Sequence, residues 1–121
     1  MTEIFKRMTH ILLLLCLAAC SGKSDVVTLL REAEMYMDER PDSALCLLDS
    51  VKSMGELTGQ EHALWCLLYT QAQDKNRIEH TSDSLIQIAV KYYDGTDLED
   101  RKMQAYYYCG RVFQDLNDAP Q

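Results

Sequence analysis

The sequence repeats itself at an offset of 41 residues, and this period limits the folds that the chain can adopt. Residues 42–45 (DSAL) align at this offset with residues 83–86 (DSLI). Three further aligned pairs follow the i, i+3, i+7 spacing of a helix face: Trp65 with Tyr106, Leu68 with Cys109, and Ala72 with Phe113. A period of about 40 residues built from two helices indicates a helical repeat array. Because one helix pair cannot bury its apolar face alone, neighbouring pairs must stack.

Apolar residues recur at helical spacing along the body of the chain, and no run sustains the alternation that is typical of a strand. The pattern predicts five helices, of which the first covers residues 25–38 and the second begins at Pro41. Thr-x-x-Glu capping boxes at residues 58–61 and 96–99 predict the starts of the third and fifth helices, and the Thr-Ser pair 81–82 that of the fourth. The predicted core stripes include Val27, Leu30, Ala33 and Met37 in the first helix and Leu85, Ile88, Ala89 and Tyr92 in the fourth.

The fifth predicted helix resembles the first helix and turn of a tetratricopeptide repeat. That family prefers an aromatic residue, a leucine-like residue, a small residue and a second aromatic at fixed spacing. Tyr106, Cys109, Gly110 and Phe113 occupy these places here, with Cys109 departing from leucine. The resemblance extends over residues 25–121 and is weaker at Tyr69, which stands where a small residue is expected. It implies an all-α fold of antiparallel helical hairpins in a tetratricopeptide-like α-solenoid, with about five helices after a signal peptide.

The fifth helix raises the question of what covers its apolar side. Its predicted packing stripe consists of Met103, Tyr106, Gly110, Phe113 and Leu116. In the tetratricopeptide family a second helix would follow, and it would begin just after Pro120-Gln121. We therefore expect either that these residues are the N-terminal part of a longer array or that the stripe docks on another molecule, and we favour the longer array.

The N-terminal segment has the parts of an export signal, with Lys6 and Arg7 ahead of a short apolar run and small residues after it. Leu17-Ala18-Ala19-Cys20 resembles the bacterial lipobox, in which the signal is cut before the cysteine and the thiol receives a diacylglyceryl group. The alternatives are an ordinary signal peptide with an incidental cysteine, or a buried helix. The lipobox together with divergent repeats also resembles Bacteroidetes repeat lipoproteins.

The lipobox resemblance divides the chain into three parts. It implies a signal peptide over residues 1–19, a lipidated tether over residues 20–24 that begins at Cys20, and a repeat region over residues 25–121. Ser21 follows the cysteine where an inner-membrane retention signal commonly has aspartate, which favours the outer membrane, on its periplasmic or surface side.

Charge and motif content exclude several classes of function. The net charge of −7 argues against a nucleic-acid partner and against electrostatic binding to anionic lipid, so membrane attachment is expected through the lipid alone. No GxxxxGK[ST], GxGxxG, HExxH or GxSxG motif is present, and neither catalysis, a cofactor nor a metal is expected. His62 and His80 are expected at the surface or at helix ends. Cys46, Cys66 and Cys109 are expected as buried apolar residues, with a Cys66–Cys109 disulfide as the alternative.

The tetratricopeptide resemblance also implies a concave groove that binds peptides or protein segments. The residues that would line it are Cys66, Thr70, Gln73, Asp74, Tyr107, Arg111, Gln114 and Asp115. We therefore expect a membrane-anchored, non-catalytic scaffold for a protein or peptide partner. One alternative is the exported sensory part of a longer membrane signalling protein. Another is a lipoprotein that captures a nutrient such as a glycan, which requires exposed aromatic platforms; Trp65 and Tyr107 are the candidates, and Trp65 is expected in the core.

Overall fold

The computed structural model describes residues 2–4, 6–7 and 23–118. Residues 23–118 form five helices joined by short connections, and the described residues contain no strand, so the all-α prediction is confirmed. The helices are α1 (Lys23–Tyr36), α2 (Pro41–Lys52), α3 (Gly59–Lys75), α4 (Ser84–Asp94) and α5 (Glu99–Asp118). The lipobox, Cys20 and the last three residues lie outside the described residues.

Helix α3 lies at the centre of the fold. It packs against α1, α2, α4 and α5, whereas α5 packs against α3 and α4 and reaches α1 through the ion pair of Arg101 with Glu34. A helix enclosed in this way is buried around its whole circumference rather than along one stripe. The buried residues of α3 are Ala63, Trp65, Cys66, Leu67, Leu68, Thr70 and Ala72.

The predicted core stripes are correct at most positions of α1 and differ from the structure in part of α4. In α1 Leu30, Ala33 and Met37 are buried as predicted, but the remaining core residue is Val26, since Val27 is exposed. In α4 the buried positions are Ile86, Ala89 and Tyr93, whereas the predicted Ile88 is exposed. In both helices apolar residues occur on two adjacent faces, so the position of the neighbouring helices decides which face is buried.

The predicted helix starts are close to the observed ones, but the capping-box hydrogen bonds are wrong. Thr58 is the extended N-cap residue of α3, yet its side chain makes no capping hydrogen bond. Ser82 Oγ accepts a hydrogen bond from the Ser84 N–H at 3.1 Å, where α4 begins. Thr96 Oγ1 accepts one from the Leu98 N–H at 3.3 Å, and α5 begins one residue later at Glu99. The hydroxyls of Ser82 and Thr96 therefore stabilise the turns that precede α4 and α5.

The predicted packing stripe of α5 is wrong in its orientation. The buried residues of α5 are Ala105, Tyr108 and Val112, which face α3 and α4. Successive helical residues are rotated by about 100°, so Tyr106 and Phe113 lie on the opposite side. Both are exposed. Of the stripe that the repeat frame selects, Cys109 and Leu116 are half-buried against the core, whereas Met103, Tyr106 and Phe113 are exposed.

The three cysteines of the described helical region are free thiols, so the alternative of a Cys66–Cys109 disulfide is not realised. Cys66 is buried, as predicted, and burial raises the pKa of its thiol to about 11. Cys46 is exposed, contrary to prediction. None of the described helices combines the length and the apolar character that a membrane span requires.

Candidate functional site

The structure brings three of the predicted groove residues into one hydrogen-bonded group. Arg111 Nε and Nη2 donate to Asp74 Oδ1 at 3.2 and 3.0 Å, and Nη1 donates to Gln114 Oε1. Arg111 and Gln114 lie on α5 and Asp74 lies near the end of α3, so this group joins the two helices. The hydrogen bond from Arg111 to Asp74 and the charge of that carboxylate raise the pKa of Arg111 above its ordinary value.

The remaining predicted groove residues differ in their access to solvent. Thr70 is buried, and its hydroxyl donates to the Cys66 carbonyl at 2.8 Å. Gln73 is half-buried and lines a small cleft together with His80. Tyr107 is 61% exposed, and its ring meets Tyr108 edge-on at a centroid distance of 4.9 Å. Of these residues, Tyr107 is therefore accessible to a partner, whereas Thr70 is not.

His80 belongs to the same polar region, although sequence reasoning placed it at the surface or at a helix end. It lies in the connection between α3 and α4, and only 3% of its side chain is exposed, so that prediction is wrong. Its Nε2 lies 3.6 Å from Asp74 Oδ1 and 4.0 Å from Asp115 Oδ2 but makes no hydrogen bond. The His80 backbone N–H donates to Asp115 Oδ2 at 3.0 Å.

The side of α5 that faces away from the core forms a second candidate site, which we call the outer face of α5. It consists of Met103, Tyr106, Gly110 and Phe113, and its three large side chains are 70%, 53% and 42% exposed, respectively. The Tyr106 hydroxyl donates to Asp94 Oδ1 at 2.6 Å, which fixes the ring, and this hydrogen bond raises the pKa of Tyr106 above its ordinary value.

The surroundings of the outer face of α5 are acidic. Residues 94–118 contain six acidic and three basic side chains. Each of the three basic groups already contacts a carboxylate within the chain: Arg101 with Glu34 at 2.9 Å, Lys102 with Glu99 at 3.2 Å and Arg111 with Asp74 at 3.0 Å. The excess of negative charge is therefore left to interact with a partner.

A third feature is a cleft of about 490 Å³ at the connection between α2 and α3. Its walls include Trp65 and Tyr69, whose rings stack with centroids 4.7 Å apart. Trp65 is 6% exposed, and its Nε1–H donates to the Leu48 carbonyl at 2.9 Å. Trp65 thus belongs to the core, as predicted, and does not offer an exposed ring face for stacking against a sugar.

No known protein family, no curated protein and no solved structure matches this chain. The function must therefore be argued from the side chains themselves. The outer face of α5 and the polar group around Asp74 are the two arrangements that carry such an argument.

Proposed function

We propose that the protein is a non-catalytic lipoprotein of the bacterial cell envelope whose helical domain binds an amphipathic helix of a partner protein. The binding surface is the outer face of α5. The observation that carries this proposal is the exposure of Met103, Tyr106 and Phe113 along one side of a single helix. A contiguous exposed apolar surface of this kind is typical of an interaction site.

The internal repeat supports a helix as the partner. Trp65, Leu68 and Ala72 of α3 align with Tyr106, Cys109 and Phe113 of α5, and the α3 residues are all buried. Helix α3 is enclosed by neighbouring helices, whereas α5 is not. The residues at this spacing are therefore buried by neighbouring helices on α3, whereas on α5 Cys109 is half-buried and Tyr106 and Phe113 are exposed.

Charge favours a particular kind of helix. Six acidic and three basic side chains between residues 94 and 118 attract a partner whose apolar stripe is flanked by lysine or arginine. A second copy of this chain would bring the same acidic region against the first, which opposes self-association through this face. The partner we propose is therefore a basic amphipathic helix.

The proposed architecture is a tetratricopeptide-like α-solenoid in which α3 and α4 form one helix pair and α5 begins the next. The offset of 41 residues and the packing of α3 on α4 support it. Tyr107 and Arg111 of the predicted groove lie beside the outer face of α5, so a partner helix on that face would lie near them.

The anchor is the lipid-modified Cys20 that the lipobox resemblance implies. Each CH₂ group that a bilayer buries contributes about 0.8 kcal/mol, and two or more acyl chains hold a protein stably. A net charge of −7 offers no competing attraction to anionic lipid headgroups. The lipid would therefore hold the domain at the membrane, and Ser21 after the cysteine favours the outer membrane.

Peptide binding tests the proposed surface. Two fluorescent synthetic helices share one leucine–alanine stripe, and the flanking positions are lysine in one and glutamate in the other. We expect the full chain to bind the lysine-flanked peptide, measured by fluorescence anisotropy, and Phe113→Asp to weaken this binding at least about tenfold. Met35→Asp is the matched control, because Met35 is 75% exposed on α1.

Three results would contradict the proposed surface. One is equal binding by the Phe113→Asp variant and the unaltered chain, and another is equal binding of the two peptides. The third is a dimer of the unaltered chain, detected by light scattering, that Phe113→Asp dissociates, since this would assign the outer face of α5 to a second copy.

A further inference from the structure

We propose that Asp74, His80 and Asp115 form a binding site for a divalent transition-metal ion, and that Zn²⁺ is the ion that suits it best. The three residues come from α3, from the α3–α4 connection and from α5. One potential ligand atom from each lies within 4.8 Å of the other two. The fold thus brings His80 close to Asp115, although the two residues are 35 positions apart in the sequence.

The histidine nitrogen is the observation that points to a ligand. His80 Nε2 is buried, makes no hydrogen bond and lies within 4.0 Å of an oxygen of each carboxylate. Buried polar atoms in proteins nearly always have a partner, so an isolated one calls for an explanation such as an ion. A bond from this nitrogen to a metal ion supplies the missing partner.

The distances fit a metal site more closely than a hydrogen bond. Nε2 is 3.6 Å from Asp74 Oδ1 and 4.0 Å from Asp115 Oδ2. Zinc bonds of about 2.0–2.1 Å at a tetrahedral angle place two ligand atoms about 3.4 Å apart. To reach this geometry, Asp74 Oδ1 must approach the nitrogen by about 0.2 Å and Asp115 Oδ2 by about 0.6 Å, and the two carboxylates, whose ligand atoms lie within 4.8 Å of each other, must also close on the ion.

The donor set selects the class of metal. One imidazole nitrogen and two carboxylate oxygens suit Zn²⁺, whereas Mg²⁺ and Ca²⁺ prefer oxygen ligands alone. Two carboxylates also balance the two positive charges of the ion. Three protein ligands leave a fourth position for water or for an external group.

Arg111 competes with the metal for this site. It donates to Asp74 Oδ1, the oxygen nearest His80 Nε2, and its Nη2 lies 3.8 Å from Asp115 Oδ1. Its side chain is 32% exposed, so it can turn towards solvent when an ion binds. Removal of Arg111 therefore strengthens metal binding, which a purely structural ion-pair network would not do.

A calorimetric titration of the full chain with Zn²⁺ alone, with all thiols reduced, tests the site. We expect His80→Gln to weaken Zn²⁺ binding at least tenfold and Arg111→Gln to strengthen it severalfold. His62→Gln is the matched control, since His62 lies on α3 outside the cluster and its replacement leaves the affinity unchanged. Co²⁺ in place of Zn²⁺ gives a visible spectrum without the thiolate charge-transfer band that cysteine ligands produce.

The proposal is overturned if the unaltered chain binds no Zn²⁺, if His80→Gln binds it as tightly as the unaltered chain, or if the Co²⁺ complex shows the thiolate band. Loss of affinity in Arg111→Gln would equally contradict it. Because the Arg111→Gln result is a gain of binding, a folding defect in the His80→Gln variant cannot produce it.

Discussion

Replacement of Cys20 by serine is expected to leave the chain with its signal peptide uncut and without lipid. The membrane fraction then contains no lipid-modified chain. Only the thiol can form the thioether bond to the diacylglyceryl group, and in the lipoprotein family cleavage follows lipidation. Because serine at position 20 offers no thiol to the diacylglyceryl group, we expect the loss of the lipid-modified form to be complete.

Cys16→Ser is the matched control for this experiment. Cys16 lies four residues earlier in the same apolar segment, within the proposed signal peptide, so its replacement should change neither processing nor anchoring. Intact mass spectrometry of the membrane fraction measures both outcomes. A chain that begins at the lipidated Cys20 is expected for Cys16→Ser and is expected to be absent for Cys20→Ser. The lipobox assignment fails if the Cys20→Ser chain still carries lipid or still begins at residue 20.

Replacement of Trp65 by alanine is expected to lower the free energy of unfolding by about 3–5 kcal/mol. The indole is buried in the central helix, stacks on Tyr69 and donates to the Leu48 carbonyl of α2 at 2.9 Å. Alanine leaves a cavity between α2 and α3 and removes the hydrogen bond that joins the indole to α2. Trp65→Phe retains most of the apolar contact and loses the hydrogen bond, so a smaller loss of about 1 kcal/mol is expected.

Urea denaturation, monitored by circular dichroism, measures the free energy of unfolding of both variants. Tyr107→Ala is the control, because an exposed side chain outside the core usually changes stability by no more than about 0.5 kcal/mol. The arrangement of α2 against α3 would be contradicted if Trp65→Ala were no more destabilising than Tyr107→Ala.

Local sequence patterns predicted the helices well because helical spacing and breaking residues act over a few positions. Pro41 begins α2, as predicted, since its fixed φ suits the first turn. The same patterns could not show whether Val26 or Val27 is the buried residue, because two adjacent valines can continue the apolar stripe on either of two neighbouring helix faces. That choice depends on where α2 and α3 pack against α1.

The repeat offset led to the wrong buried side of α5. Helix α5 has apolar residues on two opposite sides, one around Tyr108 and one around Tyr106. The offset selects Tyr106, because it aligns with the buried Trp65 of α3. Only the structure shows that α3 and α4 cover the Tyr108 side, so Met103, Tyr106 and Phe113 of the predicted stripe stay exposed.

The polar cluster was partly predictable. Asp74 and Asp115 differ by 41 positions, so the repeat places them at equivalent points on α3 and α5, and both belong to the predicted groove. His80 has no counterpart in this pattern. Its burial results from the path of the α3–α4 connection, which brings its backbone N–H to Asp115, and no local spacing indicates that contact.

Methyl NMR of the full chain labelled at its methionine methyl groups tests the central claim most directly. Met103 lies on the outer face of α5, Met35 is exposed on α1, and Met37 is buried in the core. With the lysine-flanked peptide at saturation, we expect the Met103 resonance to shift while those of Met35 and Met37 stay in place. A Met103 resonance that does not move, or a Met35 resonance that moves as far, would contradict helix binding at the outer face of α5.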